Sequence, residues 1–110
     1  IATLTAIGND YGFENIFSRQ LEALGSKEDV LFAISTSGNS ENIVKAVNIA
    51  KKKGIKVVGL LGNDGGILRE LLDNKIIINS QKTSRIQEMH LLIIHIICTI
   101  IDNSEYGQIL

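Results

Sequence analysis

The sequence predicts an α/β fold in which helices cover both faces of a parallel sheet. Short apolar runs alternate with amphipathic helical segments along the 110 residues, an order typical of strands joined by right-handed crossovers. Residues 30–34 are apolar at every position, the pattern of a strand buried on both faces of a parallel sheet. Apolar residues make up 45% of the chain and charged residues 21%, which suits one soluble domain.

The first four elements are bounded by glycines and by changes of hydrophobic period. Residues 1–7 form an apolar run that predicts the end of a strand, with 8–10 as its turn. Residues 13–24 carry apolar side chains at helical spacing, and Gly25 ends that helix. After the strand 30–34, an amphipathic helix occupies 40–53, with lysines in its last turn and Gly54 after it.

The second half repeats the alternation. Strands are predicted at 55–61 and 75–78, a short helix at 67–72 and a long helix at 86–101. The long helix is apolar on almost every side, so we expect it to be buried all round, as at a subunit interface. Residues 1–102 then form one domain, and the polar residues 103–110 form a tail.

Charge and composition exclude several classes of function. The net charge of −1 argues against a nucleic-acid-binding surface, which needs a basic excess. Cys98 is the single cysteine, so no internal disulfide forms, and a cytoplasmic location fits. The apolar run 91–101 is shorter than the ~20 residues that span a bilayer, so no membrane association is expected. Because residue 1 is Ile inside a predicted strand, we expect the natural protein to extend upstream.

Residues 35–40 predict a phosphate-binding loop. They join a buried strand to a helix N-terminus, where free amides and the helix dipole favour an anion. Gly38 would let the backbone approach the ligand, and no lysine or arginine is present, so the donors are neutral. Helix capping alone is the alternative. Four hydroxyls exceed what capping needs, namely those of Ser35, Thr36, Ser37 and Ser40.

Three segments resemble one known family. The stretch AISTSGNSENIV at 33–44 resembles the phosphosugar-binding motif of the sugar isomerase (SIS) domain. GNDYGFENIFSR at 8–19 and RIQEMHLLIIH at 85–95 are similar to segments of SIS-domain phosphoheptose isomerases, in the same order. The resemblance covers about residues 1–102. It implies a Rossmann-like, flavodoxin-type sandwich whose N-terminal part lies outside these 110 residues.

The resemblance also implies an activity. Such enzymes convert sedoheptulose 7-phosphate to D-glycero-D-manno-heptose 7-phosphate, for lipopolysaccharide or capsule, by an aldose–ketose interconversion through an enediol. It implies His95 as a catalytic acid–base residue, Gln87 as a substrate-binding residue, both as zinc ligands, and a homotetramer with sites between subunits. The family's partner residues, a histidine and a glutamate of an earlier helix, are absent here, so these 110 residues alone are expected to be inactive.

Several assignments keep alternatives open. Asp10 follows a predicted strand and matches a substrate-binding aspartate of the family. The alternative is an ordinary turn aspartate, which the turn 8–10 would also produce. Gln87 and His95 are separated by about 12 Å of rise and roughly 80° of rotation on a straight helix. We therefore expect a site shared between subunits or a bent first turn. We interpret His90 as a structural or interfacial residue. We interpret residues 62–66 as an ordinary turn that lies outside the site.

A different class of function also fits the sequence. Some SIS domains bind sugar phosphates without catalysis, and one relative of these isomerases associates with the bacterial replication initiator. Gln87 and His95 favour the enzyme, because a binding module needs neither.

Overall fold

The computed structural model describes residues 1–105 and confirms the α/β fold. Three strands, five α-helices and one 3-10 turn lie within those residues. In chain order they are α1 Ala2–Tyr11, a 3-10 turn Phe13–Asn15, α2 Ser18–Leu24, β1 Val30–Ser35, α3 Glu41–Lys53, β2 Lys56–Gly62, α4 Leu68–Leu71, β3 Asn74–Ile78 and α5 Thr83–Asp102.

The three strands form a parallel sheet in the order β1-β2-β3. Ser35, the last residue of β1, pairs with Leu61 of β2, and Leu61 pairs with Ile77 of β3. The carboxyl ends of the strands therefore share one edge, and the loops that follow them meet there.

Two glycines of β2 show that helices cover both faces of the sheet, as predicted. A Cβ at Gly59 would lie 2.3 Å from Leu72 Cδ1, at the end of α4. A Cβ at Gly62 would lie 2.6 Å from Ile86 Cγ2, on α5. Since these positions are three apart in a strand, their side chains point to opposite faces. The main core lies on the α3–α4 side and consists of Ala33, Val47, Leu61, Leu68 and Leu72.

The first predicted element is wrong, because residues 2–11 form helix α1 instead of a strand. Leu4 and Ile7 are its half-buried apolar side chains, and their spacing of three suits one face of a helix. A short apolar run does not distinguish a strand from a helix by periodicity alone. The predicted turn at 8–10 is consequently the last part of α1.

The predicted helix 13–24 is interrupted. A 3-10 turn at Phe13–Asn15 precedes α2, which begins only at Ser18. Asn15 fixes the turn, because its side chain donates to Tyr11 O at 2.7 Å and its N–H donates to Gly12 O at 3.1 Å. Asparagine competes with helix by such local bonds, and it overrides the apolar spacing here.

The predicted burial of β1 on both faces is wrong within residues 1–105, and the predicted burial of α5 at a subunit interface stays a prediction. One face of β1 is open, since Val30, Phe32 and Ile34 are 58%, 38% and 41% exposed. Helix α5 is apolar on all sides but buries only Ile86 and His90. The described part of the chain supplies nothing to cover the other apolar side chains. The large exposed residues of α5 are Met89, Leu91, Leu92, Ile96, Ile100 and Ile101.

Helix α5 has the length and apolar composition of a membrane-crossing helix over Thr83–Asp102, with 11% of that window buried. It is longer than the predicted 86–101, because it begins three residues earlier and ends one residue later. Core helices of soluble proteins meet the same criterion, so length and composition do not by themselves place α5 in a membrane. Of the predicted tail 103–110, residues 106–110 lie outside the described residues.

Candidate phosphate-binding site

The predicted phosphate loop connects β1 to α3 at the carboxyl edge of the sheet. Ser35 closes β1 and is 3% exposed, whereas Ser37 is exposed and Thr36 and Ser40 are half-buried. The structure therefore brings the four predicted hydroxyl residues into one short turn. Their role in binding an anion stays a prediction.

Three of the four hydroxyls hold the loop together. Ser35 Oγ and Ser40 Oγ are 2.8 Å apart, and Ser35 Oγ accepts the N–H of Gly38 at 3.1 Å. Ser37 Oγ accepts the N–H of Asn39 at 3.1 Å. The loop is thus ordered by its own hydroxyls, so a ligand would meet donors that are already in place.

The start of α3 argues against capping as the whole explanation. Ser40 occupies the N-cap position, yet its side chain makes no capping hydrogen bond. Its hydroxyl is directed to Ser35 instead. Within residues 1–105, nothing accepts a hydrogen bond from the first amides of the helix, those of Glu41 and Asn42. Free amides at a helix N-terminus suit an anion.

Gly38 serves a purpose different from the predicted one. It has φ 72°, and a Cβ there would lie 2.0 Å from Gly65 O. The missing side chain makes room for the loop that follows β2, rather than for a ligand. Glycine is required at this position on both counts, because positive φ and close backbone approach both exclude a Cβ.

The loop after β2 supports the phosphate loop, and the sequence prediction missed this role. Gly38 O accepts the N–H of Leu68 at 3.0 Å, and Asn39 Oδ1 accepts the N–H of Ile67 at 2.8 Å. Asn63, at φ 54°, donates its side-chain amide to Thr36 O at 3.2 Å. A signal was available: consecutive strand ends each followed by a Gly-containing polar loop must meet at one sheet edge.

A polar cleft lies beside these loops. Its volume is about 480 Å³, and it extends from the phosphate loop toward the start of α5. Amides, a hydroxyl and one carboxylate provide its polar groups, from Ser37, Asn39, Asn63, Asp64, Asn79 and Gln81.

The loop itself has no cationic side chain. Lys45, one turn into α3, is already engaged, with Nζ at 3.7 Å from Glu14 Oε1 and 3.8 Å from Glu41 Oε1. Glu41 also places a carboxylate in the first turn of α3. Any anion held here depends on hydroxyls, amides and the helix dipole, against the charge of Glu41.

Asp10 is not where the sequence predicted it. It lies in the last turn of α1, exposed, and accepts the side-chain amide of Asn9 at 2.9 Å. No hydrogen bond joins Asp10 to the phosphate loop among residues 1–105. The prediction depended on a strand end that is in fact helical, so the sheet edge no longer places this carboxylate.

Gln87 and His95 both lie on α5 with exposed side chains. The helix runs uninterrupted from Thr83 to Asp102, so about 12 Å of rise separates the two residues. No cluster of three metal-binding His, Cys, Asp or Glu side chains is found in the described part of the chain. Zinc takes three or four protein ligands, so these two residues alone do not form a zinc site.

His90 is the buried histidine of α5. It is 3% exposed, and its Nε2 lies 2.8 Å from Leu61 O, while Nδ1 has no partner in residues 1–105. This contact bears out the structural reading of His90 and joins α5 to the end of β2.

Comparison with known proteins identifies the family. The SIS domain family matches residues 1–62, and the chain belongs to it. A phosphoheptose isomerase of a Nitratiruptor species is 57% identical over 103 residues, which are 94% of this chain and 55% of that protein. One of Helicobacter pylori is 56% identical over 101 residues, 92% of this chain and 53% of that protein.

Solved structures agree with the sequence relatives. The phosphoheptose isomerase of Neisseria gonorrhoeae superposes with a TM-score of 0.91 at 47% identity, covering 94% of this chain and 58% of that one. That of Francisella tularensis gives a TM-score of 0.90 at 45% identity, covering 94% and 56%. The predicted resemblance is confirmed, and the chain spans about half the length of the curated relatives it matches.

Proposed function

We propose that the complete protein is a phosphoheptose isomerase that interconverts sedoheptulose 7-phosphate and D-glycero-D-manno-heptose 7-phosphate. The observation that carries the proposal is the start of α3, where Ser40 leaves the amides of Glu41 and Asn42 free. A loop built this way suits a phosphate ester. The choice of heptose rests on the names of relatives more than 50% identical to this chain.

The chemistry needs one proton to move between adjacent carbons. A base removes a proton from C1 of the ketose while the C2 carbonyl oxygen gains one, which gives a 1,2-enediol. Return of a proton to C2 and loss of one from O1 yield the aldose. The phosphate loop fixes the far end of the substrate, and His95 is the residue of this chain that we assign to proton transfer. Its exposed imidazole requires a covering surface to exclude water.

The described residues supply part of the proposed metal and substrate site. We propose that Gln87 and His95 supply two ligands to a zinc ion that polarises the substrate carbonyl. About 12 Å of rise separates them along one uninterrupted helix. We therefore propose that they serve a site shared between subunits of a homotetramer. Asp10 remains a proposed substrate-binding residue, which assembly would have to bring to the site.

The exposed apolar side chains of α5 support the assembly. A contiguous apolar surface on a soluble protein marks an interaction site, and a match over 94% of the chain to a solved isomerase includes most of α5. We therefore propose that α5 packs between subunits instead of entering a membrane. A cytoplasmic enzyme that supplies heptose to lipopolysaccharide or capsule fits these features.

A non-catalytic SIS module is the second candidate, whether it senses sugar phosphates or binds a replication initiator. It is favoured by one observation: within residues 1–105, no hydrogen bond or ion pair joins the His95 side chain to another acid–base group.

Incubation of the full-length protein with sedoheptulose 7-phosphate, with and without added zinc, tests the proposal. Appearance of the aldose supports the isomerase. Ligand binding without turnover under both conditions would favour the binding module. Failure to bind the sugar phosphate would overturn the isomerase and the sugar-phosphate sensor.

A further inference from the structure

Helix α5 is held to the sheet by very little. Of its 20 residues, Ile86 and His90 are the buried ones, at 0% and 3% exposure. They are four residues apart on one face of the helix, which the half-buried Ile93, Ile94 and Ile97 continue. The proposed catalytic groups Gln87 and His95 lie on the same helix, so their placement depends on how this face packs against the sheet.

Apolar burial does not determine the rotation of α5 about its axis. The helix is apolar on nearly every side, including Leu91, Leu92 and Ile96. The hydrophobic effect is non-directional, so several rotations would bury similar apolar area. A hydrogen bond is directional and can select one of them.

His90 makes that directional contact. Leu61 O can only accept a hydrogen bond, so His90 Nε2, 2.8 Å away, donates. In the neutral ring Nδ1 is then an acceptor, buried and without a partner in residues 1–105. A leucine at this position would fill the space without the unpaired Nδ1, but it would also remove the donor to the buried Leu61 O. The histidine is thus explained by its bond and not by packing.

Leu61, which accepts the bond from His90, is also next to the phosphate loop. Leu61 pairs with Ser35, the first residue of that loop. The next residue, Gly62, is so close to both partners that a Cβ would lie 2.5 Å from Thr36 O and 2.6 Å from Ile86 Cγ2. The end of β2 therefore separates the phosphate loop from α5 by a single backbone strand.

We propose that His90 is a positioning residue that sets the rotation of α5, and through it the orientation of Gln87 and His95 toward a substrate held at the phosphate loop. The inference rests on the proposed isomerase function. His90 itself touches neither substrate nor metal in this proposal.

The test compares two variants of the full-length protein. His90→Gln keeps an amide N–H that can reach Leu61 O, and His90→Leu keeps the bulk but not the donor. Leu72→Val is the control, because Leu72 is buried in the core away from α5. Steady-state kinetics with sedoheptulose 7-phosphate, thermal melting and amide hydrogen exchange of the α5 and α3 peptides are measured for each.

We expect His90→Leu to lower kcat by about 10- to 100-fold, because small misplacement of catalytic groups has effects of that size. KM should change by less than about 3-fold, since the phosphate loop is untouched, and exchange should rise in α5 but not in α3. His90→Gln should restore most of kcat. Leu72→Val should lower the melting temperature with kcat preserved.

Three results would overturn the proposal. The first is full kcat in His90→Leu. The second is an equal loss of kcat in Leu72→Val when its melting temperature equals that of His90→Leu. The third is no recovery of kcat in His90→Gln although hydrogen exchange in its α5 is normal. If the wild-type protein has no isomerase activity, the proposed function fails separately. Hydrogen exchange then tests the positioning role of His90 without the kinetics. Unchanged exchange of α5 in His90→Leu would reject that role.

Discussion

The hydroxyls of Ser35 and Ser40 lie 2.8 Å apart across the phosphate loop. Ser35 is the end of a strand and Ser40 the N-cap of a helix, so this bond closes the loop between two regular elements. The buried N–H of Gly38 donates to the same Ser35 oxygen. Ser35 therefore stabilises the loop itself, whether or not a ligand is bound.

Ser35→Ala is expected to lower both stability and ligand affinity. The substitution removes the partner of the Ser40 hydroxyl and the side-chain acceptor of the Gly38 N–H, which keeps its bond to Ser35 O at 3.3 Å. Each lost hydrogen bond costs about 0.5–1.5 kcal/mol. Urea denaturation and calorimetric titration with the sugar phosphate measure the two effects. Ser37→Ala is the matched control, because Ser37 is exposed. It should weaken ligand binding with much less loss of stability, and equal stability losses would contradict the distinction.

Gly38→Ala is expected to be far more destabilising than Gly54→Ala. The two glycines have nearly the same φ, 72° and 71°, so both variants incur about 1–2 kcal/mol of left-handed strain. At Gly38 the new Cβ would also lie 2.0 Å from Gly65 O, whereas at Gly54 the nearest atom is 3.7 Å away. Overpacking adds about 1–3 kcal/mol at Gly38. Equal free energies of unfolding for the two variants would show that the loops do not pack as described.

Glu41→Gln is expected to tighten binding of a phosphate ester. The carboxylate lies in the first turn of α3, where it repels an anion at the free amides. Its removal should lower the dissociation constant by about 2- to 5-fold at low ionic strength, with little effect at high salt because exposed charges are screened. Titration at two salt concentrations measures this. Glu70→Gln, an exposed charge on α4, should change neither value.

The sequence was sufficient for the parts of the fold that depend on local pattern. The strands of the sheet follow from apolar runs. Helix α3 follows from its amphipathic spacing and from Gly54, which ends it in a left-handed conformation. The position of the phosphate loop was also predictable, because a Ser-rich, Gly-containing turn between an apolar strand and an amphipathic helix must lie at the carboxyl edge of the sheet. Helix α1 could not be predicted with the same certainty, because periodicity alone does not distinguish a strand from a helix in so short a segment.

Features that depend on contacts between distant segments were beyond the sequence. Gly38 was expected to face a ligand, but it faces Gly65 of another loop, and no local pattern reports that approach. The sequence also does not identify the surface that covers α5 at the predicted subunit interface. An apolar helix predicts burial without saying whether the covering surface belongs to the same 105 described residues.

His95→Ala is expected to abolish isomerase turnover in the full-length protein while sparing binding of the sugar phosphate. Loss of an acid–base group typically costs about 10²–10⁴ in rate, whereas the phosphate loop lies on other elements and is unaffected. Cys98→Ser is the control, since Cys98 is exposed on the next turn of α5 and should retain full kcat. Metal analysis of both variants and of Gln87→Ala separates the roles, because zinc ligands lower zinc content and a pure acid–base residue does not. Full activity of His95→Ala would remove this histidine from the mechanism, and the proton transfer would then have to be carried out by residues outside α5.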